Sequence, residues 1–490
     1  MAPHATENGA ANGTSSAGGL DFTTFSNVID GKLSSTEKTR HGINPATGTP
    51  NPEVPVSTPE DVDRAMTAGK RAFKPWAKTP YAERQKAVHA FADALEKEKD
   101  GFAKMLTQEQ GKPLHFAYFE MDFTIQIIRT MASLELPTEE IVDEAERKIL
   151  VRYTPLGVTV GIAPWNYPVL LCCSKIAPCV VTGNPIIIKP SPFTPYGGLK
   201  VVELAQRFFP PGVVQALSGD DNLGPWLTAH PTPAKVSFTG SSATGKRVME
   251  SCSKTLKRVT LELGGNDPAV VLDDVDIDEV APKIATLAFL NSGQICLALK
   301  RIFVHEKIYE PFRDKMVEYT KTLKVGEGFE KDVFLGPIQN SMQYERVKGF
   351  FDAIDKEKYE VAVGGKNPEG PGYFITPTII DRPKEDSRIV VEEPFGPIVP
   401  LLTFSTDEEA IEKANNTVYG LGASVWSGNI ARATKVAQEL EAGSVWVNTH
   451  FELDPRAPFG GFKESGIGTE FGVGGLKSYC NSQTLYLKKK

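Results

Sequence analysis

The stretch “VTVGIAPWNYPVLLCCSKIAPCVVTGNPIIIKP” (residues 158–190) decides the fold. Its first part, “VTVGIAP”, predicts a strand, and the apolar run “PIIIKP” at its end predicts a second, short strand. Between them, “PVLLCCSKIAPCVVTG” predicts a helix that ends at Gly183, since glycine commonly follows the last turn of a helix. Strand, helix and strand in this order predict a β-α-β unit with parallel strands.

The same alternation continues downstream. The strand patterns “GVVQALSG”, “AKVSFTG” and “RVTLELGG” alternate with the helix patterns “TPYGGLKVVELAQRFFP”, “DNLGPWLTAH” and “SSATGKRVMESCSK”. Repeated β-α-β units predict an α/β fold, in which a parallel sheet carries helices on both faces. Because the alternation resumes from Leu263 to about Gly461, we expect a second α/β domain there.

Upstream, the pattern is different. Residues 60–132 carry apolar side chains at three- and four-residue spacing, which predicts helices. The run “ILVRYTPLGVTVGI” is rich in β-branched residues, and its Pro-Leu-Gly interruption predicts either a strand pair or a bend. At the other end of the chain, “YCNSQTLYLKK” predicts a final strand.

Composition excludes several classes of protein. A chain of 490 residues is long enough for two or three domains. Lys plus Arg number 54 and Asp plus Glu number 61, so the net charge is −7, which disfavours sequence-independent nucleic-acid binding. No apolar run approaches the roughly 20 residues of a membrane span. Six cysteines are too few for a disulfide framework, and their spacings fit no zinc site, so no metal is expected.

The chain ends indicate where the protein works. Residues 1–19 are small, polar and glycine-rich, so we expect a disordered tail rather than a secretory signal. The first arginine is Arg40, which disfavours a mitochondrial transit peptide, and the final “LKKK” is neither a peroxisomal nor an endoplasmic-reticulum address. A cytoplasmic location is therefore expected.

Polar residues at predicted strand ends are candidates for chemistry. Lys189 ends “PIIIKP”, and Glu262 ends “RVTLE” just before two glycines. Glu262 is either a salt-bridged core residue or a general base whose pKa is tuned by burial. Asn166, in a turn between two prolines, is either an ordinary turn residue or a donor to an oxyanion. The turn “TGSSATGK” is either a tight turn or a helix N-terminus that binds phosphate.

The stretch “NSGQICLALK” (residues 291–300) places Cys296 just after a helical pattern, beside a glycine and a glutamine. This cysteine is either a small buried hydrophobe or a nucleophile at the bottom of a cleft. Cys172, Cys173 and Cys179, by contrast, lie in one apolar run and are expected to pack in the core.

Seven motifs together resemble the aldehyde dehydrogenase superfamily. They are, in order, W-N-Y-P, K-P-S, T-G-S-x-x-x-G, L-E-L-G-G, G-Q-x-C, E-P-F-G-P and “PFGGFKESG”, and the resemblance extends from about Phe22 to Leu487. It implies a Rossmann-like cofactor domain, a second α/β catalytic domain and a small β oligomerisation element. The implied segments are a cofactor domain at 20–133 and 155–262, a catalytic domain at 263–474, and oligomerisation strands at 134–154 and 475–490.

The resemblance also implies catalytic roles. Cys296 matches the nucleophile, Glu262 the general base, and Asn166 the oxyanion donor beside the Cys296 backbone N–H. Lys175 matches the lysine that supports the site, and we expect it to lower the pKa of the Cys296 thiol, because a free cysteine has little thiolate at neutral pH. The implied reaction oxidises an aldehyde to the carboxylic acid through a thiohemiacetal and a thioester on Cys296.

The implied cofactor is NAD, with NADP as the alternative. Many members that use NAD carry a glutamate after K-P-S, but this chain has Pro192 there, so no carboxylate repels a 2′-phosphate. No arginine stands beside Lys189 to bind such a phosphate, which favours NAD. The positions that match cofactor contacts are Ile162, Trp165, Lys189, Ser191, Gly240, Ser241, Gly245, Glu393 and Phe395.

The implied substrate pocket is apolar. We therefore expect an aromatic or medium-chain aliphatic aldehyde. None of the pocket positions is an arginine, which disfavours a carboxylate-bearing semialdehyde, but Arg456 in the substrate-side loop weakens that argument. The implied assembly is a homodimer or homotetramer. The positions that match the pocket are Tyr167, Leu171, Ile295, Leu297, Phe451 and Phe459.

Three other functions are compatible with parts of the sequence. An acylating dehydrogenase would pass the thioester to coenzyme A, but such members usually lack the base that Glu262 matches. A papain-like hydrolase needs a Cys–His pair, and none of the seven histidines lies in a matching motif. A non-catalytic homologue would not need Cys296, Glu262 and Asn166 together.

Overall fold

The structure is a computed structural model that describes residues 19–366 and 370–489, apart from the side chain of Asp355. The expected disordered tail lies outside the described residues except for Gly19. The described strands are β1 (Asn27–Ile29), β2 (Lys32–Ser34), β3 (Thr39–Ile43), β4 (Pro50–Pro55), β5 (Glu139–Asp143), β6 (Arg147–Pro155), β7 (Thr159–Ile162), β8 (Ile186–Lys189), β9 (Val214–Ala216), β10 (Lys235–Thr239), β11 (Arg258–Glu262), β12 (Asp267–Val271), β13 (Leu299–His305), β14 (Glu360–Val363), β15 (Thr378–Asp381), β16 (Ile398–Phe404), β17 (Gly422–Trp426), β18 (Ser444–Val447), β19 (Gly466–Ile467) and β20 (Cys480–Lys488).

The helices match most of the periodic segments. The helical prediction over 60–132 is confirmed as four helices, which begin with a capping box at Thr58. The described helices are α1 (Pro59–Lys78), α2 (Tyr81–Lys97), α3 (Lys99–Gln110), α4 (Leu114–Ser133), α5 (Pro168–Val181), α6 (Tyr196–Ala205), α7 (Leu223–Ala229), α8 (Ser242–Ser253), α9 (Ile277–Phe289), α10 (Tyr309–Thr320), α11 (Ser341–Glu357), α12 (Arg388–Val391), α13 (Asp407–Asn415), α14 (Ile430–Gln438) and α15 (Gly472–Lys477).

The first sheet has the strand order β19-β11-β10-β7-β8-β9-β1-β2. The five strands from β11 to β9 are parallel, and the flanking strands β19, β1 and β2 pair antiparallel. One hydrophobic cluster joins this sheet to α2–α6, and another joins it to α1, α7 and α8. Helices therefore cover both faces, and the predicted parallel α/β fold is confirmed.

The second sheet has the order β14-β15-β16-β13-β12-β17-β18 and is parallel except at β14. Helices α9 and α10 pack on one face, and α11, α13 and α14 pack on the other. The predicted second α/β unit is therefore present. Residues 263–266 carry the chain from the end of β11 to the start of β12, so the two sheets meet at this point.

A third, antiparallel sheet has the order β20-β6-β5. All nine residues of β6 pair with β20, which confirms the predicted final strand. The Pro-Leu-Gly interruption is a bend rather than a hairpin, because β6 and β7 belong to different sheets and Gly157 has a φ of 125°. Within the described part of the chain, no helix combines the length and apolar character that crossing a bilayer requires.

Strand register brings the candidate residues to one place. At the carboxyl edge of the first sheet, Ile162 is level with Lys189, and Thr239 is level with Glu262. At the amino edge of the second sheet, Asp267 is level with Leu299, three residues after Cys296. The site is built where these two edges meet, as expected for an α/β protein that binds ligands beyond the carboxyl ends of its strands.

Candidate active site

The loop that carries Cys296 has an unusual backbone. After α9 the chain passes through Asn291, Ser292 and Gly293, all with positive φ (51°, 56° and 70°). Two features require a glycine at position 293. Its φ is left-handed, and a Cβ there would collide with the carbonyl oxygen of Gly396. Consecutive left-handed residues cost conformational energy and persist only where the surroundings hold them. They bring the half-buried Cys296 to the start of β13.

The glutamine near the cysteine, Gln294, holds the loop in place through its side chain. Its side-chain amide donates to the carbonyl of Asn291 at 3.0 Å, and its Oε1 accepts from the backbone N–H of Gln339 at 2.9 Å. Ser292 donates to the carbonyl of Gly336 at 2.7 Å. These bonds fasten the loop to the chain before α11, so the position of Cys296 is set from outside its own strand.

Asn166 does not act as a simple turn residue. Its Nδ2 donates across the site to the Gln294 carbonyl at 3.0 Å, and its own carbonyl accepts from Lys112 Nζ at 2.9 Å. A side-chain amide has two N–H bonds. The second N–H of the Asn166 amide has no hydrogen-bond partner among the described residues, and the first is bonded to Gln294, two residues before Cys296.

A buried ion pair supports Asn166. Lys112 and Glu120 lie 2.5 Å apart and are almost fully buried. Glu120 Oε1 also accepts from the backbone N–H groups of Val169 and Leu170 in the first turn of α5. The pair therefore fixes both sides of the Asn166 turn. Sequence reasoning missed both residues, because neither lies in the motif that they support.

Glu262 ends β11 and is 4% exposed. Neither of its carboxylate oxygens has a hydrogen-bond partner within residues 19–366 and 370–489. Burial first, and then the charge of Glu470, raise the pKa of Glu262 well above its ordinary value, while Lys175 opposes them. A salt-bridged core residue would have a partner, so the geometry favours the general-base interpretation.

Lys175 is the cation whose charge acts on Glu262. It is fully buried in α5, and its ammonium donates to Glu470 Oε1 and to Thr239 Oγ1, both at 2.8 Å. Ser237 donates to the same Glu470 oxygen at 3.0 Å. Glu470, which sequence reasoning missed, comes from the segment just before α15 and brings a second carboxylate to the base.

The expectation for the thiol is wrong. Burial raises the pKa of Cys296 to about 12 instead of lowering it. The charge that chiefly opposes burial is Lys300, while Glu393, Asp267 and Glu262 raise the thiol pKa further. A thiol with such a pKa forms little thiolate at neutral pH.

The glycine-rich turn after β10 presents a helix N-terminus. Ser241 is the N-cap of α8, and its Oγ accepts from the Thr244 N–H at 3.3 Å. Gly240 donates to the Glu262 carbonyl at 3.0 Å. A Cβ at Gly245 would crowd the Leu263 side chain, so this glycine lets α8 pack closely on the chain after β11. A helix N-terminus at a strand end suits a pyrophosphate.

Lys189 and its neighbours lie at the adjacent strand end. The ammonium of Lys189 is buried, and its one hydrogen bond to a described residue is a 3.5 Å contact with the Pro190 carbonyl. Burial lowers the pKa of Lys189 to about 8. Ser191 Oγ accepts from the Phe193 N–H at 3.2 Å, and Ile162 is buried beside Lys189 in the sheet.

The E-P-F-G-P loop lies over the same cleft. The ring of Phe395 meets that of Trp165 edge to face, with centroids 5.2 Å apart, and Phe395 has a left-handed φ of 49°. Glu393 Oε1 accepts from the Gly265 N–H at 3.3 Å. The loop from the second sheet thus contacts the turn after β7 of the first sheet.

The predicted pocket residues belong to one hydrophobic cluster. Tyr167, Ile295 and Leu297 are buried members, and Leu171, Phe451 and Phe459 are partly buried and pack against it. Tyr167 also receives the Lys112 ammonium 3.7 Å from its ring centroid.

Arg456 is bound locally. Its guanidinium pairs with Asp454 two residues earlier, with one Nε–Oδ1 distance of 2.9 Å, and both side chains are exposed. Because both groups face solvent, this ion pair holds the Arg456 side chain only weakly.

Comparisons with known proteins agree with the motifs. The profile of the aldehyde dehydrogenase family matches residues 33–485. The chain is 42% identical over 472 residues to aldehyde dehydrogenase LUC3 of a Fusarium species, covering 96% of this chain and 100% of that protein. It is 36% identical over 471 residues to phenylacetaldehyde dehydrogenase of Pseudomonas fluorescens, covering 92% and 93%. The NAD+ complex of aldehyde dehydrogenase from Bacillus cereus superposes with a TM-score of 0.93 at 36% identity, covering 95% and 97%. The chain belongs to the aldehyde dehydrogenase family.

Proposed function

We propose that the protein oxidises an aldehyde to its carboxylic acid through a thioester on Cys296, with Glu262 as the general base. The observation that carries the proposal is the unpartnered Glu262 carboxyl beside a cysteine loop that is bonded to the Asn166 amide. A base without a structural partner and a cysteine held by a strained loop both suit chemistry better than packing.

Attack begins at the thiol. Cys296 Sγ adds to the aldehyde carbon as the thiol proton leaves for a base, and the raised pKa of Glu262 makes it a good acceptor. The oxyanion that forms is stabilised by the free N–H of Asn166 and by the Cys296 backbone N–H. Loss of one such donor typically costs about 3 kcal/mol.

Hydrolysis completes the reaction. Bound NAD would supply the acceptor for the hydride that leaves the former aldehyde carbon, and Cys296 would then carry the acyl group as a thioester. After Glu262 has released the thiol proton to solvent, it takes a proton from water, and the resulting hydroxide adds to the acyl carbon. Cys296 leaves as the thiolate and recovers a proton from Glu262. The paired Lys175 and Glu470 adjust the pKa of Glu262, which Glu470 raises and Lys175 lowers.

The residues of the cleft fit a dinucleotide. Ser241 at the start of α8 suits the pyrophosphate, the weakly bonded and buried Lys189 suits ribose hydroxyls, and Glu393 with its neighbour Phe395 suits the nicotinamide ribose. Gly245 lets the first turns of α8 pack closely on Leu263. The NAD+ complex of the similar Bacillus cereus enzyme supports NAD, with NADP as the alternative.

Replacement of Pro192 by Glu is expected to increase the preference for NAD. A carboxylate there would accept from ribose hydroxyls and repel a 2′-phosphate, so the ratio of kcat/KM for NAD to that for NADP should rise at least about tenfold, equivalent to about 1.4 kcal/mol. Pro192→Gln, which has the same size without the charge, is the control. An unchanged ratio in Pro192→Glu would show that position 192 does not contact the ribose.

The substrate class is proposed to be aromatic or medium-chain aliphatic aldehydes. The apolar cluster around Tyr167 and Phe459 favours such groups, and the similar phenylacetaldehyde dehydrogenase supports them. The alternatives are an acylating dehydrogenase and a non-catalytic homologue. Assays of an aldehyde panel with NAD and NADP, with and without coenzyme A, test all three, since acyl transfer to coenzyme A or absence of turnover would contradict the proposal.

The proposed domains follow the three larger sheets except at β19, which pairs with β11 of the first sheet although it lies within residues 263–474. Residues 20–133 and 155–262 form the cofactor domain and residues 263–474 the catalytic domain, while 134–154 and 475–490 form an oligomerisation element. Strands β5 and β20 are the two edges of the third sheet in the described chain, and Ile141 and Tyr486 on them are 57% and 77% exposed. Open edges with exposed apolar side chains favour assembly.

We expect the protein to be a homodimer or homotetramer. Burial of the exposed face and edges of the third sheet between subunits would remove unpaired backbone groups and apolar side chains from water. Light scattering at micromolar concentration measures the mass directly. A monomer under these conditions would contradict the proposed role of residues 134–154 and 475–490.

A further inference from the structure

The Lys300 side chain contacts the backbone of the proposed nucleophile. It is the second residue of β13, and its side chain is 2% exposed. The ammonium donates to the Cys296 carbonyl at 2.6 Å and lies 3.1 Å from Glu393 Oε1. It also lies 5.9 Å from the ring centroid of Phe395. A single buried cation thus joins the cysteine loop to the E-P-F-G-P loop.

The neighbouring Arg301 shows that this arrangement is not a general property of the strand. Its guanidinium donates to the carbonyls of Asn266, Lys413 and Ala414 at 2.8–3.1 Å. All three acceptors are backbone groups, so Arg301 serves packing of the second sheet. Asp267 pairs with Leu299 and Pro268 with Arg301, so Lys300 lies at a β-bulge, and its ammonium contacts Cys296 and Glu393 rather than the acceptors of Arg301.

The charges around Lys300 make it the balancing cation of the cysteine loop. Asp267, Glu393 and Glu262 all raise the pKa of the Cys296 thiol, and Lys300 is the strongest opposing charge. His450 also faces this region, since its Nε2 lies 2.6 Å from the Leu297 carbonyl and 3.8 Å from Asp267 Oδ2. Burial lowers the pKa of His450 to about 4, so this ring is neutral and supplies no second cation.

Removal of the Lys300 charge would affect two groups at once. The Cys296 carbonyl would lose its 2.6 Å donor, and the largely buried Glu393 carboxylate would retain the Gly265 N–H as its hydrogen-bond donor among the described residues. A buried carboxylate that loses its counter-charge is strongly destabilised and tends to move or to bind a proton.

We propose that Lys300 is a positioning residue that couples the nucleophile to the cofactor site, by holding the Cys296 peptide and the Glu393 carboxylate on one ammonium. This inference rests on the proposed function, in which Cys296 attacks the aldehyde and Glu393 receives the nicotinamide ribose. Coupling through a shared group is reciprocal, so occupancy of the cofactor site changes thiol reactivity, and the state of the cysteine loop changes cofactor affinity.

The test compares Lys300→Met with Lys300→Arg, which keeps the charge. The control is Lys200→Met, because Lys200 is equally buried, pairs with Glu203 at 2.6 Å and lies in α6 outside the site. The first measurement is alkylation of Cys296 by iodoacetamide in the absence of cofactor, followed by peptide mass spectrometry from pH 7 to 10. The second is the Kd for NAD by fluorescence titration, and the third is the ratio of alkylation rates with and without NAD.

The expected result has three parts. In Lys300→Met the alkylation profile shifts to higher pH, so the rate at a fixed pH falls about tenfold for a shift of one pKa unit. The Kd for NAD rises by about tenfold, and the alkylation ratio with and without NAD moves towards one. Lys300→Arg recovers part of each effect, and Lys200→Met resembles the wild type in all three.

Two outcomes would overturn the inference. Wild-type alkylation and NAD affinity in a folded Lys300→Met variant, verified by circular dichroism, would show that Lys300 is structural. Equal losses in Lys200→Met would show that any buried lysine has the same effect. Failure of the proposed function can be distinguished from failure of this inference. If the alkylation shift is present but the wild type oxidises no aldehyde with NAD or NADP, the proposed reaction is wrong while the role of Lys300 stands.

Discussion

Replacement of Cys296 by Ala is expected to abolish aldehyde oxidation while cofactor binding survives. The variant loses the atom that forms the thiohemiacetal and the thioester, and loss of a covalent nucleophile can cost about 10⁶-fold in kcat. The Kd for NAD should change little, because the cofactor positions lie on β7, β8, α8 and the E-P-F-G-P loop rather than on the thiol. Steady-state turnover and a fluorescence titration on the same preparation measure both quantities.

The other cysteines provide the controls. Cys172 and Cys173 are fully buried in α5, and burial raises the pKa of both thiols above the ordinary value. Their replacement by Ala should lower the thermal unfolding temperature and leave kcat close to that of the wild type. Undiminished turnover in Cys296→Ala would remove Cys296 from the mechanism, and a specific loss of kcat in a stably folded Cys172→Ala would contradict its packing role.

Sequence periodicity predicted the strands whose ends carry candidate residues, whereas the roles of those residues came from the family resemblance. The strands “VTVGI”, “PIIIK” and “RVTLE” are parallel, and register places Ile162, Lys189 and Glu262 at one edge of the first sheet. The N-terminal strands β1 to β4 were not predicted. They are short or contain prolines, as in “PNPEVP”, and so carry little strand signal.

Partners that are distant in the chain could not be predicted. Lys175 meets Glu470, and Lys300 meets Glu393, through the packing of separate elements, and no local pattern links either pair. The same reason explains the wrong expectation for the Cys296 pKa. The match of Lys175 to the family's supporting lysine suggested a cation near the thiol. In the fold, the charge of Lys175 acts on Glu262, and the thiol is buried near the carboxyl groups of Glu393, Asp267 and Glu262.

The environment of Glu262 predicts a particular pH dependence. A base acts in its deprotonated form, and burial together with Glu470 raises the pKa of Glu262. The rate of thioester hydrolysis should therefore rise with pH through a pKa well above that of an ordinary glutamate. The Glu470→Gln variant keeps Glu262 but loses the neighbouring negative charge, so Lys175 can act on the base more strongly. The rise of the hydrolysis rate with pH should therefore occur at lower pH in this variant.

Replacement of Glu262 by Gln is expected to separate the two halves of the reaction. The amide keeps the shape of the side chain but cannot accept a proton from water, so steady turnover should fall by about 10²-fold or more, the usual effect of losing a general base. If hydrolysis is the step that depends on Glu262, one equivalent of reduced cofactor per active site should still form rapidly. The acyl group should then accumulate on Cys296 and be visible by mass spectrometry of the quenched enzyme.

The size of the initial burst in Glu262→Gln decides between two roles of the same carboxyl group. A full burst with slow turnover means that Cys296 loses its proton to another acceptor and that Glu262 serves hydrolysis. Loss of the burst means that Glu262 also accepts the thiol proton, which the raised pKa of Cys296 makes chemically necessary for some base. A burst that is absent at pH 7 but returns at pH 9 or above would support that second role, because hydroxide would then generate the thiolate without Glu262. Undiminished steady turnover at every pH would exclude Glu262 from both steps.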